Sequence, residues 1–120
     1  MTLRTFFGDA EHDFALTAPL IAELEAVTGV GIGGLARRLE AREFRLDDIT
    51  HTIRLALVGG GTDPETAARL VANYVPARPL IAAHLLAVEI MHGLWFGTAG
   101  EGPADPDAAA TLSALAGGVA

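Results

Sequence analysis

From Leu20 onward, apolar residues recur every three or four positions, in five runs punctuated by glycine, proline or charge. Leu20, Ile21, Leu24 and Val27 line one side of a first predicted helix and leave Glu23 and Glu25 toward water. Thr17 stands at its N-cap, and Pro19 falls in the first turn, where a missing N–H costs little. Leu16 and Ile21 are spaced to form a hydrophobic staple, and Gly29 suits the left-handed residue that ends a helix. The second run turns Ile32, Leu35, Ala36 and Leu39 inward and Arg37, Arg38 and Glu40 outward. Phe44 and Leu46 are expected to plug the joint that follows. Asp47 or Asp48 then caps a third helix with Ile49, Ile53, Ala56 and Leu57 inward.

That third helix is expected to end at Val58, because Gly59, Gly60 and Gly61 would continue it only at a cost. Thr62 with Glu65 fits a capping box, and Asp63 before Pro64 fits a cap with proline at the first helical position. The fourth helix runs to about Tyr74 and buries Ala67, Leu70, Val71 and Tyr74. Pro76 and Pro79 bracket a tight connection, and the fifth helix extends to Trp95 or Phe96 before Gly97 stops it. Ahead of the helices, Leu3–Phe7 and Asp13–Thr17 flank Gly8–Glu11 as a hairpin. A lone hairpin is marginal in water, so Phe6 or Phe7, with Phe14 and Leu16, should pack it on the helices.

The fold class expected is therefore mainly α: about five helices in a small bundle, with a short N-terminal β-hairpin, over residues 1–97. Residues 98–120 form a Gly/Ala/Pro-rich tail expected to be flexible. Its weak helical run, Asp107 to Leu115, has only Leu112, Leu115 and Val119 as anchors.

Composition narrows the chemistry. The 120 residues contain no cysteine, which excludes disulfides and thiolate metal sites and fits a reducing cytoplasm. All eight basic residues are arginine, and the net charge of −7 argues against general nucleic-acid binding, which needs cations to neutralise phosphates. Met1–Arg4 leads into no apolar signal segment. Leu80–Phe96 is the most apolar run. It is shorter than a membrane span of roughly 20 residues and holds His84, Glu89 and His92, so it reads as a buried core helix.

Candidate sites are few. Gly29, Gly31 and Gly34 spell a dinucleotide fingerprint, but a helix precedes them where a strand is needed, so they read as a helix break. Gly59–Gly61 could cradle phosphate only with a lysine, and the chain has none; a flexible connector is the reading. Glu89 and His92 can face each other on a helix, yet no pair of histidines has the spacing that grips one metal, so no metal or cofactor is expected. Asp47, Asp48 and His51 resemble an acid–base cluster but read more simply as a helix cap. The single serine, Ser113, lies in the tail, and no catalytic residue is assigned. Met91, Trp95 and Phe96 form an apolar helix end that is core by default. The same group is the candidate partner-binding patch, including for self-association into a homo-oligomer.

The order of these signals resembles the gene-transfer-agent family of small phage proteins, tail assembly chaperones of siphophage-type tails. The matching residues are Gly8-Asp9, Phe14-Ala15-Leu16-Thr17, Leu20-Ile21-Ala22-Glu23-Leu24-Glu25, Thr28-Gly29, Leu35-Ala36-Arg37-Arg38-Leu39, Phe44 and Asp48-Ile49. The resemblance covers residues 3 to 96. It implies a non-enzymatic role: binding the helical, apolar tape-measure protein in the cytoplasm while tail-tube protein assembles around it. Two alternatives stand beside it. One is a structural protein of the tail or the head–tail joint. The other is a helix-turn-helix regulator using Arg37, Arg38 and Arg42, which the acidic balance disfavours.

Overall fold

The computed structural model describes residues 2–97; the tail assigned to 98–120, with its weak helical run, lies outside the described residues. The elements are β1 (Leu3–Phe7), β2 (Ala10–Phe14), α1 (Ala18–Thr28), α2 (Ile32–Ala41), α3 (Leu46–Gly59), α4 (Pro64–Tyr74) and α5 (Leu80–Phe96). Five helices and one antiparallel hairpin appear as the pattern predicts.

The hairpin's register differs from the expected one. β2 begins at Ala10 and not at Asp13: Phe7 pairs with Ala10 and Leu3 with Phe14 across a two-residue turn, Gly8-Asp9. Gly8 takes φ 70°, so the chain reverses at once and pairing starts immediately after Asp9. Beyond Phe14 the strand leaves the sheet, and the Ala15 N–H donates to the Ala56 carbonyl at 2.9 Å. Phe7 and Phe14 face inward with ring centroids 6.3 Å apart, and Tyr74 closes on Phe7 edge-on at 6.2 Å. Phe6 points out, beneath the guanidinium of Arg78.

Helix α3 is the axis of the bundle. Ile49, Thr52, Ile53, Leu55, Ala56 and Leu57 are all buried, on more than one face, because β2, α1, α4 and α5 all pack against it. Helix α1 ends as expected: Gly29 sits at φ 73° and its N–H bonds the Glu25 carbonyl. Three readings around it need correction. Thr17 occupies the N-cap position, but its side chain makes no cap bond. Val27 is exposed and Thr28 is buried instead, one turn on from Leu24, whose carbonyl accepts the Thr28 hydroxyl at 2.7 Å. Glu25 does not simply face water, since its carboxylate accepts the Ile32 N–H at 2.8 Å and caps the next helix. Leu46 is exposed and does not plug the joint, because it opens α3 on the outer side while Phe44 turns in. At α4 the Asp63 side chain accepts the Thr66 N–H ahead of Pro64, as the sequence implies.

The triple glycine is not a slack connector. Helix α3 runs through Gly59, and a Cβ there would overlap the Ala15 carbonyl; one on Gly60 would overlap that of Asp13. The end of α3 lies directly on the backbone leaving β2, and only hydrogen fits between them. Gly33 in α2 is the opposite case, with open space where a methyl group would stand. Gly59→Ala should therefore cost about 3 kcal/mol or more through overpacking, whereas Gly33→Ala should raise stability by about 0.5–1 kcal/mol through helix propensity. Denaturant midpoints of the two variants against the parent check both signs.

Candidate docking surface on helix α5

Helix α5 is apolar almost all round, with Glu89 its sole Asp, Glu or Arg. Only one side packs inward: Ala83, Leu86, Ala87, Ile90, Met91 and Gly93 meet α2 and α3. The other side leaves Ile81 60 %, Leu85 56 % and Trp95 50 % exposed, with Leu80 and Phe96 also open. The reading of α5 as a buried core helix is thus half right. Hydropathy marks both sides alike, and no other element among the described residues covers the outer one.

The three residues singled out for partner binding separate accordingly. Met91 is packed into the core, and it also lines the groove that runs between α2 and the end of α5. Trp95 and Phe96 are exposed. With His92 they edge a groove whose far wall is α2, at Gly33, Ala36, Arg37 and Glu40. The short side chains of Gly33 and Ala36 leave the α2 backbone open to close approach by another helix. Ile81 and Leu85 were not singled out from the sequence. They were findable there: once residues 83, 86, 87 and 90 are spent on the core, a second apolar stripe remains on the same helix.

His84 fixes this surface. Its Nε2 lies 2.6 Å from the Leu39 carbonyl, and its ring lies on Phe44 with centroids 4.6 Å apart, so it pins α5 to α2. Glu89 and His92 are exposed, and the His92 ring lies 4.8 Å from Phe96. Among the described residues no group of three His, Asp or Glu could hold a metal ion. No single helix there is long and apolar enough to cross a membrane.

The acidic pair at the start of α3 is a joint. Asp48 is fully buried and acts from the third helical position, while Arg45 holds the N-cap position expected for an aspartate. The Arg45 N–H donates to Asp48 Oδ2 at 2.9 Å, and the Asp48 N–H donates back to the Arg45 carbonyl at 2.9 Å. Arg38 approaches the same carboxylate at 3.4 Å, and Arg45 also donates to the Thr28 carbonyl at 2.9 Å. Asp47 is exposed, and His51 pairs with Arg54 at 3.1 Å. Of the arginines in the regulator reading, Arg38 is engaged with Asp48, while Arg37 and Arg42 are exposed, Arg42 as the left-handed residue ending α2 at φ 61°.

Comparison with known proteins gives one family. Residues 1–97 match the model of the family described as phage tail tube protein, GTA-gp10. No curated protein and no solved structure matches the chain.

The two regions should respond differently to substitution. Asp48→Ala should lower stability by about 2–4 kcal/mol, since it strips a buried cap and leaves the Arg38 guanidinium without its partner. Leu85→Glu, on the open side of α5, should stay within about 0.5 kcal/mol of the parent. Urea unfolding followed by circular dichroism checks both.

Proposed function

The chain belongs to the phage tail tube protein (GTA-gp10) family, and from that premise we propose that it is a structural component of a phage-type or gene-transfer-agent tail. It works by protein–protein contact and performs no chemistry. The carrying observation is that the family match spans every described residue and that the family is described as a tail protein. This favours a chain that stays in the tail over one that only escorts assembly. The side chains that looked reactive support the non-enzymatic part: His84 is taken up by Leu39 and Phe44, and Asp48 by Arg45 and Arg38. The open side of α5, with Trp95 and Phe96, is the contact surface, and the neighbour across it is another subunit of the tail.

The second reading is the assembly chaperone acting in the cytoplasm on the tape-measure protein. The groove between α2 and α5 favours it, since a groove walled by two helices suits an apolar stripe on a helical client. Mass spectrometry of purified particles separates the two. The structural reading expects this chain at a fixed ratio to the other tail subunits, and Trp95→Ala should lower its incorporation several-fold while the isolated protein melts normally. Absence from mature particles, together with a tape-measure protein that becomes soluble and co-purifies only when this chain is co-expressed, would replace it with the chaperone reading.

A further inference from the structure

We infer that the outer side of α5 is covered by α5 of a second copy of this chain, in a pair closed about a two-fold axis. Ile81, Leu85, Val88, His92 and Trp95 follow one another at steps of four, three, four and three residues. All are exposed except Val88, which is half-buried. That is the 3.5-residue repeat of a helix–helix seam, and such a seam is filled by a helix carrying the same repeat. Among the described residues, the other helices expose one large hydrophobic at most, Val27 on α1 and Leu46 on α3. The helix of this chain that fits α5 is α5 itself. The pairing uses the same patch on both copies, which is what closes a dimer and stops it growing into a filament.

Charge selects this surface for self-contact. Copies that each carry a net charge of −7 repel one another over most of their surface. Acidic residues lie on the hairpin (Asp9, Glu11, Asp13), on α1 (Glu23, Glu25), on α3 (Asp47) and on α4 (Glu65), and α2 sets Glu40 beside Arg37 on the far wall of the groove. Helix α5 carries Glu89 alone, at the flank of the seam. Depletion of charge at the centre of a patch, with aromatic and aliphatic side chains in its place, is the composition of an interface core. Leu80, Ile81, Leu85, Trp95 and Phe96 on two copies offer on the order of 1,000 Å² in total, the size at which specific interfaces begin. The pairing does not depend on whether the chain remains in the mature tail.

Sedimentation equilibrium on the full 120-residue chain, from about 1 to 200 µM, tests it. The expected result is a mass rising from 12.4 kDa to twice that value, with a blue shift of Trp95 emission over the same concentrations; Trp95 is the only tryptophan. Leu85→Glu and, separately, Ile81→Glu should each weaken the association about tenfold or more, with an unchanged helical circular-dichroism spectrum. Using two variants guards against one that fails to fold. Three outcomes overturn the pairing: a single-chain mass throughout the range, a dimer that neither glutamate disturbs, or a monomer whose Trp95 is already shielded at the lowest concentration, which would assign the covering role to residues 98–120.

Discussion

The arrangement of the helices depends on one buried carboxylate. Asp48 has no exposure, and taking a charge out of water is costly unless hydrogen bonds and an opposite charge replace the solvent. Here the Arg45 backbone N–H supplies the bond and Arg38 of α2 the charge, while the Arg45 side chain reaches on to the Thr28 carbonyl at the end of α1. Three helices thereby meet at one point. A buried ion pair adds little net stability over a well-packed apolar group. What this one adds is direction, because Asp48 Oδ2 and the Thr28 carbonyl find their partners together in one mutual orientation of α1, α2 and α3, while Asp48 Oδ1 takes no hydrogen bond and has the Arg45 guanidinium 3.9 Å away.

The outer surface inherits this precision. With α2 held by Asp48, the Leu39 carbonyl stands where His84 can bond it, and Phe44 stands where it can lie against the His84 ring. Those two contacts set the rotation of α5 about its own axis. Rotation matters for a helix that is apolar almost all round: nothing in its own composition says which residues go inside. Met91 goes in and Trp95 stays out because α2 and α3 are already placed.

This is also why the fold was more legible in the sequence than the surface was. Gly29, the Asp63-Pro64 start and the spacing of Leu24, Leu35, Ile53 and Leu70 declare helices through local chemistry, and local chemistry is what a sequence displays. The start of β2 was misplaced by three residues because a single φ value at Gly8 sets the register. Asp48 was legible as a cap, but not its bond to α2, which joins residues ten apart through a fold-dependent angle. Met91, Trp95 and Phe96 read alike as core by default, and only the placement of α2 and α3 parts the buried Met91 from the exposed Trp95 and Phe96. The gene-transfer-agent resemblance, carried by the hairpin and the first helices, led to the family that the chain matches; the chaperone role attached to that resemblance lies beyond what the match itself says.

The hairpin carries a consequence for the order of events on the ribosome. It is made before the helices it packs on, so its partners come late: Ala15 bonds Ala56, Asp13 lies against Gly60, and the Tyr74 ring fills the space where a Cβ on Gly8 would stand. A two-stranded sheet has little stability by itself. Phe7 and Phe14 must therefore wait in solution while the polypeptide lengthens, and the hairpin can settle only after α3 and α4 have emerged. The hairpin is translated ahead of α3 and α4 and locks only after them, so a nascent chain halted before Tyr74 would display its two inward-facing phenylalanines to any apolar surface nearby.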